Sequence, residues 1–176
     1  MQKKNRLALL DRDGVLNVSN IKNGYIGYKK FFKWYPGAKR SIKYLKLNKY
    51  KVVVVTNQSG IARNYFSYLD VIRLHKHMQS DLKKYGTKID KFYICPHHLD
   101  GVIKKYKKQC NCRKPKIGLF KKIKKNYRVD KINSFMIGDQ FTDMQFAKRI
   151  GVKGFLFKKT NLYKFILDLP INVKKN

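Results

Sequence analysis

A chain of 176 residues, 43% of them hydrophobic, has room for one domain with a sizeable core and requires no second one. The opening Met-Gln-Lys-Lys-Asn-Arg leads into only four apolar residues, too few for a signal-peptide core, and no apolar run approaches a membrane span, so a cytoplasmic protein with no membrane partner is expected. The 42 Lys and Arg against 10 acidic residues give a net charge of +32, which brings nucleic acid into consideration as a partner.

In chain order, the first element is an apolar run, Leu7 to Leu10, ending in Asp11-Arg12-Asp13-Gly14. It reads as a buried strand that delivers two carboxylates to the rim of a sheet. Residues two apart share a strand face, but past the turn at Gly14 the carboxylates can diverge, so that one can attack while the other moves protons. A calcium loop would need another acidic residue soon after the glycine, and Val15, Leu16 and Asn17 follow instead. Pro36-Gly37 opens a helix with Ile42 and Leu45 at helical spacing. A second strand, 52–55, runs into Thr56-Asn57-Gln58-Ser59-Gly60, where hydroxyls and backbone N–H groups in a tight turn suit phosphoryl oxygens. Taken alone, that turn is equally an ordinary structural one.

A helix from about 68 to 85 puts Val71, Leu74, Met78 and Leu82 on a core-facing side, while His75 and His77 point to different sides and are expected at the surface. Strand 92–95 ends in Cys95. The following stretch to Lys114 carries no helix or strand pattern, and a loop of that length in a compact domain needs a function or a staple. Cys95-x-His97 and Cys110-x-Cys112 supply the staple: three thiolates and an imidazole suit tetrahedral zinc, and four protein ligands make it structural rather than catalytic. His98 competes with His97 as the fourth ligand. Three cysteines cannot all pair, and Cys-Asn-Cys neighbours bridge only with strain.

Pro115 is expected in the first turn of a helix through Leu119, Phe120 and Ile123. Strand 135–137 runs into Gly138-Asp139, and a helix from near Phe141 to Gly151 carries Asp143 four residues after Asp139, a pair that repels unless a cation lies between them. That pair also reads as two acids suiting a helix N-terminus. A final strand covers 154–157. This βα alternation predicts an α/β fold: a doubly wound, mainly parallel sheet with helices on both faces and ligands at the carboxyl ends of the strands.

With these residues assembled, the chain resembles the haloacid dehalogenase-type phosphatases over nearly its whole length. The resemblance rests on Asp-Arg-Asp-Gly-Val-Leu-Asn, Val-Thr-Asn-Gln-Ser-Gly-Ile-Ala-Arg, Cys-Pro-His-His with Cys-x-Cys-Arg-Lys-Pro, and Gly-Asp-x-x-x-Asp-Met-Gln. It implies a single phosphatase domain over 1–176, a zinc-binding loop at 95–114, and no large cap domain. It also implies an aspartyl-phosphate mechanism with Asp11 as nucleophile and Asp13 as general acid and base. Magnesium would be held by Asp11, the Asp13 carbonyl and Asp139, with Asp143 behind them orienting Lys114 or a metal-bound water. Thr56 and Lys114 would hold the transferring phosphoryl group.

Substrate contacts fall by resemblance on Gly24, Tyr25, Asn57, Gln58, Ser59, Arg113 and Gln140, with Arg113 suited to bidentate contact with a second phosphate. The implied partner is a small phosphorylated sugar, with zinc structural, magnesium catalytic, and the protein monomeric. Rival substrates are histidinol phosphate and 3′-phosphorylated nucleic-acid ends, and a rival class is a basic zinc-stabilised nucleic-acid-binding protein. Two features depart from the sugar-bisphosphate pattern: Gln140 stands where a substrate-contacting Lys is usual, and the segment from Ser19 to Asn23 is long. The positive charge is spread along the chain and accompanied by abundant Asn, Ile, Tyr and Phe, the residues of A/T-rich codons. It is therefore read as compositional, with nonspecific polyanion binding at low salt.

Overall fold

The structure is a computed structural model that describes residues 4–19 and 25–171. Five strands form one all-parallel sheet in the order β3-β2-β1-β4-β5. These are β1 (Leu7–Leu10), β2 (Lys51–Asn57), β3 (Lys91–Cys95), β4 (Phe135–Gly138) and β5 (Lys153–Leu156). The helices are α1 (Ala38–Leu47), α2 (Tyr68–Lys84), α3 (Gly118–Lys124), α4 (Phe141–Ile150) and α5 (Leu162–Leu167).

Both faces of the sheet are covered, which is why its central strands read as unbroken apolar runs rather than alternating ones. Ala8 and Leu10 face a core shared with Ile42 and Leu45 of α1, Met78 and Leu82 of α2, and Leu162 and Ile166 of α5. Leu7 and Leu9 face the opposite core, with Leu119 and Ile123 of α3 and Phe146 and Ile150 of α4.

Each of the five sequence-derived strands is present within a few residues. Two expectations need correction. Pro115 does not sit in the first turn of α3, which starts at Gly118; it follows a cis peptide bond and lies in the turn that closes the cysteine loop. His75 is not at the surface: it is 5% exposed, on the buried face of α2. One further α2 turn of apolar partners on β3 accounts for this, because Phe92 stacks on the imidazole at 4.1 Å. The short helix α5 has no sequence counterpart above; it is held by packing on α1 and by an Asn161 cap whose Oδ1 accepts from the Tyr163 and Lys164 amides.

The chain order reverses beside β1, since β2 and β3 lie to one side and β4 and β5 to the other. In such sheets the crevice outside the strand ends at this switch point is where ligands bind. Asp11 follows β1 there, and Asp139 follows β4.

Candidate active site

Asp11 leaves β1 with its amide donating to the Ile137 carbonyl at 2.9 Å, so the chain is still tied to β4 when the first carboxylate appears. Three residues on, the backbone turns at Gly14 in the left-handed region, φ 80°, and a side chain there would strike the Asp139 carboxylate. Only glycine meets both demands. Gly138 meets a similar one, since a Cβ at that position would overlap Asp143.

Carboxylate oxygens of Asp11, Asp139 and Asp143 all lie within 4.8 Å of one another. Asp13 is the fourth acid of the cluster, so four of the chain's ten acidic residues meet in one crevice of an otherwise very basic protein. Arg12 pairs with Asp13, and the buried cation beside Asp11 and Asp143 is Lys114. Its Nζ is 3.0 Å from Asp11 Oδ1 and 2.7 Å from Asp143 Oδ1, and it donates to the Val55 carbonyl at 2.7 Å. Burial alone would lower the Lys114 pKa, but Asp11 and Asp143 outweigh it and the net shift is upward.

One lysine does not balance this group. Burial pushes Asp11 up to about 7, Lys114 pulls it down, and the charges of Asp143, Asp13 and Asp139 add to the rise. Burial also raises Asp139. A carboxylate cluster with excess negative charge and hard oxygen donors fits a divalent cation of the magnesium type. The sign of the linkage is definite: because the Asp11 pKa is raised on folding, its contribution favours the native state at low pH and is lost as pH rises from 3.8 to about 7. The contribution of this group is therefore expected to lower the melting of metal-free protein at the upper end of that window relative to the lower end, and added magnesium to raise melting more there than at the lower end. Thermal melts at both ends, with and without the ion, check this; an equal response at both would remove the charge argument.

The Asp13 carboxylate is enclosed by donors. Arg12 Nε and Nη2 donate to Oδ1 at 3.1 and 2.9 Å, Asn17 Nδ2 donates to Oδ1 at 3.0 Å, and Gln58 Nε2 donates to Oδ2 at 2.7 Å. Gln58 is 1% exposed, and its amide also bonds Thr56 Oγ1 and Arg12. The structure thus sets Gln58 beneath the site as a brace for Asp13. Asn57 is likewise engaged, exchanging two bonds with the Lys114 backbone at 3.0 and 3.2 Å, which tie the end of the cysteine loop to β2. Ser59 Oγ lies 3.4 Å from the Tyr25 hydroxyl at the crevice mouth.

Gln140 Nε2 donates to Asp139 Oδ2 at 2.9 Å, and its amide donates to Asp143 Oδ2 at 3.1 Å. Gly24 and the segment 20–23 lie outside the described residues. Sequence reasoning did not find Arg12, Asn17, His75 or Lys158, whose Nζ donates to the Asp139 carbonyl at 3.0 Å. Of these, only Arg12 carried a signal: a guanidinium between two strand-end carboxylates is forced inward, and here it is 0% exposed.

In the loop after β3, the Sγ atoms of Cys95, Cys110 and Cys112 lie 2.9 to 3.6 Å apart, with His97 Nδ1 3.2 Å from Cys112 Sγ. None of the three is in a disulfide. A tetrahedron of ~2.3 Å zinc–sulfur bonds has edges of roughly 3.7 Å, so the donor set and its spacing fit zinc, on the compact side. Hydrogen bonding from Cys95, with further help from His97 and Cys110, holds Cys112 down to about 5, while the shared proton and burial push Cys95 up. His98, the competing candidate, is turned away from the cluster: Arg63 Nη2 lies 3.3 Å from its ring, and its Nδ1 accepts from the Asp100 amide at 3.1 Å.

A parallel sheet with an Asp-x-Asp pair after its first strand, a hydroxyl turn after its second, a buried Lys, and acids after its fourth defines a phosphatase of the haloacid dehalogenase class. The family model described as polynucleotide kinase 3 phosphatase matches residues 6–159. The D-glycero-beta-D-manno-heptose-1,7-bisphosphate 7-phosphatase of Rhodopseudomonas palustris is 38% identical over 96% of this chain and 92% of its own, and that of Vibrio cholerae is 41% identical over 82% and 76%. This chain belongs to that family of heptose-bisphosphate phosphatases within the class.

Among solved structures, a HAD-like phosphatase from Mesorhizobium loti superposes with a TM-score of 0.79 at 31% identity, covering 88% of this chain and 73% of the other. The D,D-heptose 1,7-bisphosphate phosphatase of B. bronchiseptica, complexed with magnesium and phosphate, superposes with a TM-score of 0.77 at 30% identity, covering 94% of this chain and 88% of the other. No helix among the described residues is long and apolar enough to cross a membrane.

Proposed function

We propose that this chain hydrolyses the C7 phosphate of D-glycero-D-manno-heptose 1,7-bisphosphate, a step toward the heptose of the lipopolysaccharide core. The observation that carries it is the Asp11, Asp13, Lys114, Asp139 and Asp143 cluster at the switch point, in a chain aligned nearly end to end with enzymes of that name. Its substrate would be a charged sugar phosphate that does not cross membranes, which supports a cytoplasmic enzyme.

A magnesium ion held by Asp11, Asp139 and the Asp13 carbonyl, backed by Asp143, would supply charge neutralisation between an anionic nucleophile and an anionic phosphate. The side chains do the rest. Asp11 attacks phosphorus and the bond to the sugar oxygen breaks, leaving an aspartyl phosphate. Asp13 gives the departing oxygen its proton, then takes one from the water that cleaves the acyl phosphate. Lys114, fixed by three short contacts, stabilises the phosphoryl oxygens together with Thr56 from a preorganised position.

Zinc held by Cys95, His97, Cys110 and Cys112 would make residues 95–114 a rigid arm within a single 1–176 domain. The arm carries Arg113, a partly buried guanidinium whose Nη1 has no partner among the described residues and whose fork suits bidentate contact with the sugar's second phosphate. Tyr25 and Ser59, whose hydroxyls lie 3.4 Å apart, are the further contacts proposed for the substrate. Gln140, where a substrate-contacting lysine is usual, donates to Asp139 through Nε2 and keeps its Oε1 for a substrate hydroxyl.

The test is phosphate release, with magnesium, from heptose 1,7-bisphosphate, histidinol phosphate and a 3′-phosphorylated oligonucleotide at matched concentrations. The bisphosphate is expected to be preferred by at least about 100-fold in kcat/KM, and Arg113→Ala to lose most of that preference, since an unpaired phosphate contact of this kind contributes a few kcal/mol. Preference for either other substrate would keep the mechanism and overturn the substrate. A diffuse rather than directed effect of salt on the oligonucleotide would mark the +32 charge as nonspecific.

A further inference from the structure

His75 is a polar residue in the buried stripe of α2, among Val71, Leu74, Met78 and Leu82. Its ring lies nearly parallel to Phe92, 16° between planes, and its Nε2 is 3.4 Å from Arg12 Nη1. A guanidinium has no acceptor, so this contact exists only if Nε2 accepts, which puts the proton on Nδ1. That Nδ1 is buried with no partner among the described residues, a cost not explained by packing alone. Burial, reinforced by the Arg12 charge, depresses the imidazole pKa to about 2, so the ring stays neutral and able to accept at any working pH.

Arg12 is the other half of the device. Nε and Nη2 are directed at Asp13, and Nη2 also reaches the Ile26 carbonyl and, at 3.0 Å, Gln58 Oε1. Nη1, on the far edge of the fork, bonds His75. With its planar fork anchored at one edge by an uncharged acceptor, Arg12 can orient Asp13 without a second carboxylate competing for it.

We propose that His75 is a positioning residue for the phosphatase reaction, holding the Arg12 guanidinium, and through it the Asp13 carboxyl, in the orientation from which a proton is delivered to the departing oxygen. The inference rests on the mechanism proposed above and goes beyond it, because His75 touches neither substrate nor metal ligands.

The test separates acid positioning from packing by leaving group. An alkyl phosphate leaves as an alkoxide and needs the proton; p-nitrophenyl phosphate leaves as a stable phenolate and does not. In a double-displacement enzyme kcat/KM reports the steps through leaving-group departure. The variants are His75→Phe, which keeps the stack on Phe92 but not the acceptor, and His75→Gln, which keeps an acceptor. On the alkyl ester that the wild type hydrolyses best, His75→Phe is expected to lose about tenfold or more in kcat/KM, and His75→Gln to recover most of it. On p-nitrophenyl phosphate both should stay within about threefold of wild type.

Equal losses on the two esters, no loss in His75→Phe, or His75→Gln as impaired as His75→Phe would each overturn the proposal. Should His75→Phe fail to fold, His75→Leu takes its place in the same comparison. Wild-type protein inactive on every phosphate ester would instead overturn the phosphatase reading itself, and activity on the aryl ester with none on the heptose bisphosphate would overturn only the substrate.

Discussion

Asp11→Asn is expected to lower magnesium-dependent phosphate release by at least about 10⁴-fold while leaving the fold intact. The amide cannot attack phosphorus, and each factor of ten corresponds to about 1.4 kcal/mol of barrier, so the loss amounts to roughly 5.5 kcal/mol or more. The same change bears on stability in the opposite sense. Asp11 is 9% exposed, and its carboxyl is pushed up to about 7 by burial and by three neighbouring acids, against the pull of Lys114. A neutral amide removes that strain, so the metal-free variant should melt at the wild-type temperature or above it near neutral pH. Activity assays and thermal melts on one preparation check both halves. Substantial residual turnover would sink the aspartyl-phosphate mechanism, and a large drop in melting temperature would show that the loss of activity came from misfolding.

Removing the metal from the cysteine loop, by chelation or by Cys110→Ser, is expected to give the largest stability change available in this chain. Structural zinc contributes on the order of 10 kcal/mol or more to the folding of small zinc-dependent units. Even ~4 kcal/mol of that, felt globally, lowers the melting temperature of a chain of this size by roughly 10 °C. The reason lies in the connections of the loop. Cys95 is the last residue of β3, Gln58 donates its amide to the Cys95 carbonyl at 2.8 Å, and Asn57 is tied to Lys114 at the other end. Release of the metal should therefore loosen Arg113 and Lys114 together, with a rise in KM from the first and a fall in kcat from the second. Elemental analysis and melting curves before and after chelation decide it: no zinc and an unchanged curve would remove the claim.

Much of this architecture was legible because the signals were local. Leu7 to Leu10 and Val52 to Val55 are continuous apolar runs, which a strand covered on both faces requires, and the acids and hydroxyls begin where each run stops. The Cys-x-His and Cys-x-Cys pairs likewise announced their own assembly by donor type. His97 was the expected fourth ligand with His98 as its competitor, and it is His97 that joins the thiols while His98 lies against Arg63. His75 was misread. Helical spacing gave α2 its apolar side but not that side's width, and the extra breadth comes from Phe92 on β3.

Gln58 shows the limit most directly. Its position in a polar turn after β2 suited a substrate contact, yet a side chain at the base of that turn can bond Asp13, Thr56 and Arg12 without leaving the interior. By itself, then, the order of apolar runs and carboxylates along this chain determined a parallel α/β sheet and the strand ends that carry chemistry, since these follow from periodicity and residue type, while the class of reaction came from the resemblance of its motifs to a known family. Only the tertiary structure decided that Lys114, far along the chain from Asp11, sits 3.0 Å from it, and that Arg12 and His75 stand behind Asp13. Those contacts are made between elements brought together by the crossovers of the sheet, and the free energy that fixes them belongs to no local segment of the chain.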